Sequence, residues 1–199
     1  MDAKSHPLYF SNWASERFDE IESTLRTIES HAEDFRAERK QKAEKAISEI
    51  RAQGEAFQEA LAKQLKDGEA AWAVARNDLA PVWASFEATV QKYLAEAGVH
   101  AKEQGATFKA RAEAQANAWK QMFDTLQANS ARVATAQKQE LNKALDHLKA
   151  EAEITKSKLE KQQKAGEQSW AAFKDALEES RSAFDKAGQT AFEAFKKAS

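Results

Sequence analysis

Four histidines, His6, His31, His100 and His147, are the side chains of this chain best suited to bind a metal or move a proton near neutral pH. A metal site inside a helical bundle pairs such a histidine with a carboxylate three residues upstream, so that both project from one helix face. None of the four has one. Glu96 and His100 are four apart, but they straddle a predicted turn and lack companion ligands. The chain carries no His-Glu-x-x-His pair, no glycine-rich phosphate loop and no Gly-x-Ser-x-Gly elbow. With Cys 0 it also has no thiolate chemistry and no disulfide, which fits a reducing compartment. The expectation is a protein that is not an enzyme, holds no metal or cofactor and turns over no small-molecule substrate.

Charge is the other chemistry available. Arg36, Arg39, Lys40, Lys42 and Lys45 form one basic segment, and Lys156, Lys158, Lys161 and Lys164 form another. Near the N-terminus Glu16, Asp19, Glu20, Glu22, Glu29, Glu33 and Asp34 outnumber Arg17 and Arg26. Carboxylates with a cation three or four residues on, such as Glu22 with Arg26 and Glu178 with Arg181, read as ion pairs on a helix surface. The two basic segments read as a belt that docks the acidic end of another copy or an anionic surface such as lipid headgroups. A net charge of -2, and a belt without aromatics for base stacking, speak against nucleic acid.

The elements that must carry these groups are helices. Charged residues make up 31% of the chain, Ala is abundant, and only Gly 6 and Pro 2 punctuate it, a composition of long helices with a coiled-coil seam. The five Trp, the 11 Phe and the small net charge set it apart from a disordered polar chain. Apolar residues recur in steps of three and four from Phe18 through Ile21, Leu25, Ile28 and on to Leu94, and again from Phe108 to Phe195. This predicts an all-α fold: a leader over 1–12 with Ser11-Asn12 as a cap, a first arm over 13–97, a turn at 98–105 and a second arm over 106–198. Pro81 predicts a kink or short break near 77–81. The absence of Pro and Gly between Gly105 and Gly166 predicts one unbroken helix there.

Folding the arms antiparallel about the turn sets Trp83 against Trp119, Leu94 against Phe108, Phe57 against Leu145, Leu61 against Leu141, Leu25 against Leu177 and Phe18 against Phe184. Such a two-helix hairpin leaves one side of each stripe wet. Either it self-associates into a homo-oligomer, or further bends fold one chain into a shorter bundle. The residues predicted to carry self-association are Trp13, Phe18, Phe35, Trp72, Trp83, Phe86, Phe108, Trp119, Phe123, Trp170, Phe173 and Phe184. An internal echo links the arms: Gly68-Glu69-Ala70-Ala71-Trp72 is matched by Gly166-Glu167-Gln168-Ser169-Trp170, and Leu79 and Phe86 follow the first Trp at the distances at which Leu177 and Phe184 follow the second.

The run Ala171-Ala172-Phe173-Lys174-Asp175-Ala176-Leu177, with Phe and Trp on a narrow stripe of an Ala-, Gln- and Lys-rich helix, resembles in composition the phasins that coat storage granules and, more loosely, the exchangeable apolipoproteins. No apolar run approaches the roughly 20 residues that span a bilayer, and no signal core follows Met1. The expected role is thus a cytoplasmic, non-enzymatic structural or scaffolding coiled-coil protein that self-associates through its aromatic faces. The alternative is a peripheral protein of a lipid or storage-granule surface, which the resemblance to phasins implies.

Overall fold

The computed structural model describes residues 7–67, 69–96, 101–130, 138–165 and 169–198. They form six helices and, among the described residues, no strand: α1 Pro7–Ala32, α2 Ala37–Asp67, α3 Glu69–Glu96, α4 Ala101–Ser130, α5 Lys138–Lys164 and α6 Trp170–Ala198. The all-α class is as the periodicity predicts. The lengths of the helices are not: α1 ends within the first arm, and α4 and α5, described on either side of 131–137, pack against each other instead of running on as one helix.

α1 is described from Pro7, so 7–12 are helical rather than a leader; residues 1–6 lie outside those described. The break after Ala32 lies wholly within the described residues and has a local cause. After Ala32 the chain tightens, with Asp34 N donating to His31 O at 3.2 Å and Phe35 N to Ala32 O at 3.3 Å. Glu33 and Asp34 at that point repel the negative end of the α1 dipole, while half-buried Phe35 is pulled back onto the core. Near the last described residues of α4, Asn129 Nδ2 donates to Thr125 O at 2.7 Å and Ser130 Oγ to Gln127 O at 2.6 Å; residues 131–137 lie outside those described. Pro81, by contrast, does not break α3, which runs through it with the ring in solvent. Residues 101–105, predicted as turn, are the first turn of α4, and 97–100 lie outside the described residues.

The six helices pack as two halves. α2 lies against α1 and α3, α5 lies against α4 and α6, and the halves join chiefly along α1 and α4. Gly54 of α2 sits so close to α1 that a Cβ there would meet Ile21 Cγ2 at 3.3 Å, a close approach that its missing side chain permits. Residues 68 and 166 of the internal echo lie outside the described residues.

The ion pairs Arg17–Asp185 and Glu20–Arg181 run α1 antiparallel to α6, and Phe108–Phe173 with Trp119–Phe184 run α4 parallel to α6. The C-terminus of α1, the N-terminus of α2, the C-terminus of α5 and the N-terminus of α6 therefore share one end of the bundle.

Of the predicted facing pairs, Leu25 with Leu177 and Leu94 with Phe108 do fall in one apolar cluster. Phe57 and Trp83 belong to that first cluster, whereas Leu141, Leu145, Trp119 and Phe184 form a second. Phe57 therefore packs on Trp13 and Trp83 instead of Leu145, and Trp119 meets Phe184 edge-on at 5.2 Å instead of Trp83. The reason is the wet side of each stripe: bending the arms into three helices apiece covers it within one chain. Each aromatic so buried contributes roughly 2–3 kcal/mol of transfer free energy.

Candidate functional site

Helices α1, α3, α4 and α6 turn toward one another at a junction made of ions, not hydrocarbon. Its centre is Glu20, whose side chain has no exposed surface. Glu20 Oε2 accepts from Arg111 Nε at 2.8 Å and Arg181 Nη2 at 3.0 Å, and Oε1 from Gln115 Nε2 at 2.7 Å. Arg111 also grips Glu87 of α3 with both terminal nitrogens, one at 3.2 Å, and Arg181 Nη2 reaches Glu87 Oε1 at 3.4 Å. One turn back on α1, Arg17 donates to Glu16 Oε2 at 3.0 Å and binds Asp185 with two nitrogens, at 3.2 and 2.8 Å. Gln115 ties the cluster to the α6 backbone through Leu177 O at 3.2 Å.

Aromatic faces cover the guanidinium planes. Arg17 lies 4.2 Å from the Trp13 ring centre, Arg181 lies 4.3 Å from Trp83, and Arg111 lies 5.2 Å from Phe86. Arginine suits this place because its planar, weakly hydrated head can stack and fork at once.

The two central carboxyls of α1 are pushed apart. Burial raises Glu16 well above the usual carboxylate range, and the charge of Glu20 beside it adds to the rise. Burial acts on Glu20 in the same direction, but Arg181 and Arg111 overcome it and bring its pKa down to about 2. Beside Glu16, the carboxyls of Glu20, Glu87 and Asp185 face the guanidiniums of Arg17, Arg111 and Arg181. A carboxyl pair of unequal pKa can serve acid–base catalysis when it faces a substrate. Here Glu16, Glu20 and Arg111 are sealed from solvent on every side, and the cluster's chemistry is to hold four helices together.

Among the described residues no group of three or more His, Cys, Asp or Glu could hold a metal, and no helix is long and apolar enough to cross a membrane.

The predicted self-association residues are mostly spent inside this one chain. Trp13, Phe86, Phe108, Trp119, Trp170, Phe173 and Phe184 are buried, and Phe18, Phe35, Trp83 and Phe123 are half-buried against the two clusters. The side chain of Trp72 lies outside those described.

The basic belt comes out differently. Its two segments lie at the same end of the bundle, but α2 does not pack along α5. Lys42 and Lys45 meet Glu38 and Glu49 of their own helix at 3.7 and 3.9 Å, Lys158 pairs with Glu179, and Arg39 lies over the Phe35 ring. Arg36, Lys40, Lys156, Lys161 and Lys164 are exposed.

Surface pairing predicted for Glu22 and Arg26 is present at 3.9 Å, whereas Arg181, predicted to pair with Glu178 in solvent, is turned inward to Glu20. Glu16 and Glu20, read as part of an acidic outer face, are likewise interior.

α5 packs along α6 and α4. α5 meets its neighbours along Leu141, Leu145, Leu148, Ala152, Thr155 and Leu159, and the small side chains of Ala152 and Thr155 leave space on both flanks. A groove of about 330 Å³ lies between α5 and α4, and another of about 430 Å³ between α5 and α6. Compared with known proteins, the chain matches no family model, no curated protein and no solved structure.

Proposed function

We propose that this protein is non-enzymatic and works as a peripheral binder of lipid or storage-granule surfaces, a bundle of amphipathic helices that opens on contact. The observation that carries this reading is the pair of open grooves that flank α5, where its seam narrows to Ala152 and Thr155. Opening there turns the apolar stripes of α4, α5 and α6 outward, toward a surface that can take them. Among the described residues none of α5 enters the ionic junction, so displacing that helix leaves Glu20, Glu87, Arg111 and Arg181 paired. The compositional resemblance of the α6 stripe to phasins agrees with this role, and the cations at the α5 end suit an anionic headgroup layer.

Co-sedimentation tests it directly. The protein is expected to pellet with phosphatidylglycerol vesicles at physiological salt and less with phosphatidylcholine vesicles; failure to pellet with either overturns the proposal.

Self-association is the second reading, favoured by Val74 and Ile154, large apolar side chains left 58% and 50% exposed. A scaffold built from copies of this bundle would join through such positions on its outer surface. Light scattering on a size-exclusion column is then expected to give a dimer or larger assembly, weakened by Val74→Glu or Ile154→Glu. A monomer at every concentration removes this reading and leaves the surface-binding one standing.

A further inference from the structure

The groove between α4 and α5 is more than a packing gap. Its floor is Trp119 and Phe123 from α4 with Leu148 and Leu159 from α5, all buried or half-buried, and the missing bulk at Ala152 opens it to solvent. Lys120 on one side and Lys149 and Lys156 on the other stand along its rim, all exposed and without a carboxylate within 4 Å among the described residues. Glu153 is the one acidic side chain of the lining. The indole of Trp119, 4% exposed, keeps its Nε1–H without an acceptor among the described residues. An apolar groove edged by three cations and one anion, with a buried donor still to be satisfied, is complementary to a single chain that is apolar along its length and anionic at its head.

We propose that this groove binds one long-chain fatty-acid anion, its hydrocarbon on the Trp119–Phe123–Leu148–Leu159 floor and its carboxylate among Lys120, Lys149 and Lys156. The volume of about 330 Å³ lies at the lower end of small-molecule sites, as one unbranched chain requires. The inference goes beyond the surface-binding reading, because the site exists on the closed bundle.

Oleate is the probe, titrated below the concentration at which it forms micelles and followed by calorimetry and by tryptophan fluorescence. The expected result is saturable uptake of one oleate per chain. Ala152→Phe fills the groove and is expected to abolish that uptake. Should this variant fail to fold, the triple change Lys120→Glu, Lys149→Glu and Lys156→Glu alters only exposed side chains. It is expected to bind oleate about tenfold more weakly and dodecyltrimethylammonium more strongly than the wild type, since rim charges set the sign of the preferred head. No saturable uptake by the wild type, or equal oleate affinity in the triple variant, overturns the proposal. Vesicle pelleting without oleate uptake removes this site while leaving the surface-binding reading in place.

Discussion

Replacing Arg111 by methionine is expected to lower the free energy of unfolding by about 3–5 kcal/mol, the cost of leaving buried carboxylates without their partner. Arg111 has no exposed surface and serves two of them, Glu20 at 2.8 Å and Glu87 through both terminal nitrogens. Methionine fills much of the same volume against Phe86 but donates nothing. Arg181 cannot make good the loss, because it already serves Glu20 and approaches Glu87 only at 3.4 Å.

Removing the demand as well as the donor should reverse most of the damage. Arg111→Met combined with Glu87→Leu leaves Glu20 with Arg181 and Gln115, and is expected to recover most of the stability lost in the single variant. Urea unfolding followed by helical circular dichroism measures both. A single variant within 1 kcal/mol of the wild type, by the smallness of that figure against the range above, would show that the junction does not bear the load between the halves.

That junction marks the limit of what the residue pattern reveals. Helical spacing is enough to assign the all-α class and nearly every aromatic to an interior stripe, because burial of large apolar side chains dominates the choice of face. It does not show where a stripe turns back on itself. The break after Ala32 depends on carboxylate and dipole effects within one turn of helix, in a segment that carries neither Gly nor Pro.

The ions were hidden for a different reason. Glu178 and Arg181 have the spacing of a surface pair, and nothing in that spacing tells which way the arginine points. A signal does exist. On α6 the stripe steps from Leu177 to Phe184 with no apolar residue between them on that face, and Arg181 stands in the gap; on α4, Arg111 and Gln115 fill the interval from Phe108 to Trp119 in the same way. On α1, Trp13, Arg17, Glu20 and Thr24 follow one another at helical steps, and all four are buried. Carrying the offset of the internal echo along the chain sets Trp13 on Arg111 and Trp83 on Arg181. Across the halves, Arg181 stacks on Trp83 and Arg111 on Phe86, while Arg17 stacks on Trp13 within the first half.

The same amide substitution made one helical turn apart on α1 is expected to act in opposite directions. Glu20 has a pKa lowered to about 2 in the folded chain, against 4.5 without its partners. The unfolded chain therefore binds the proton more readily, and the stabilisation is present above 4.5 and lost as pH falls toward 2. Its size is roughly 3 kcal/mol, taking about 1.4 kcal/mol per pKa unit. Glu20→Gln should thus cost several kcal/mol at neutral pH, and the cost should vanish in acid.

Glu16 has its pKa raised by burial and by Glu20, so the folded chain holds that proton more tightly than the unfolded one. Its contribution is complete below 4.5 and is lost as pH rises through the raised folded value. Of the groups that face it, Arg17 at 3.0 Å and Arg181 at 3.8 Å favour ionisation, whereas Glu20 opposes it. A glutamine at 16 keeps a donor for Glu20 without ever ionising. Glu16→Gln should match the wild type in acid and become progressively the more stable protein as pH rises above 4.5, reaching a constant difference once the wild-type carboxyl has lost its proton. Unfolding both variants and the wild type in urea at a series of pH values reads this out. Parallel pH profiles for the wild type and Glu16→Gln would mean that Glu16 is ionised in the folded chain at every pH above 4.5, and the three arginines would then face four carboxylates.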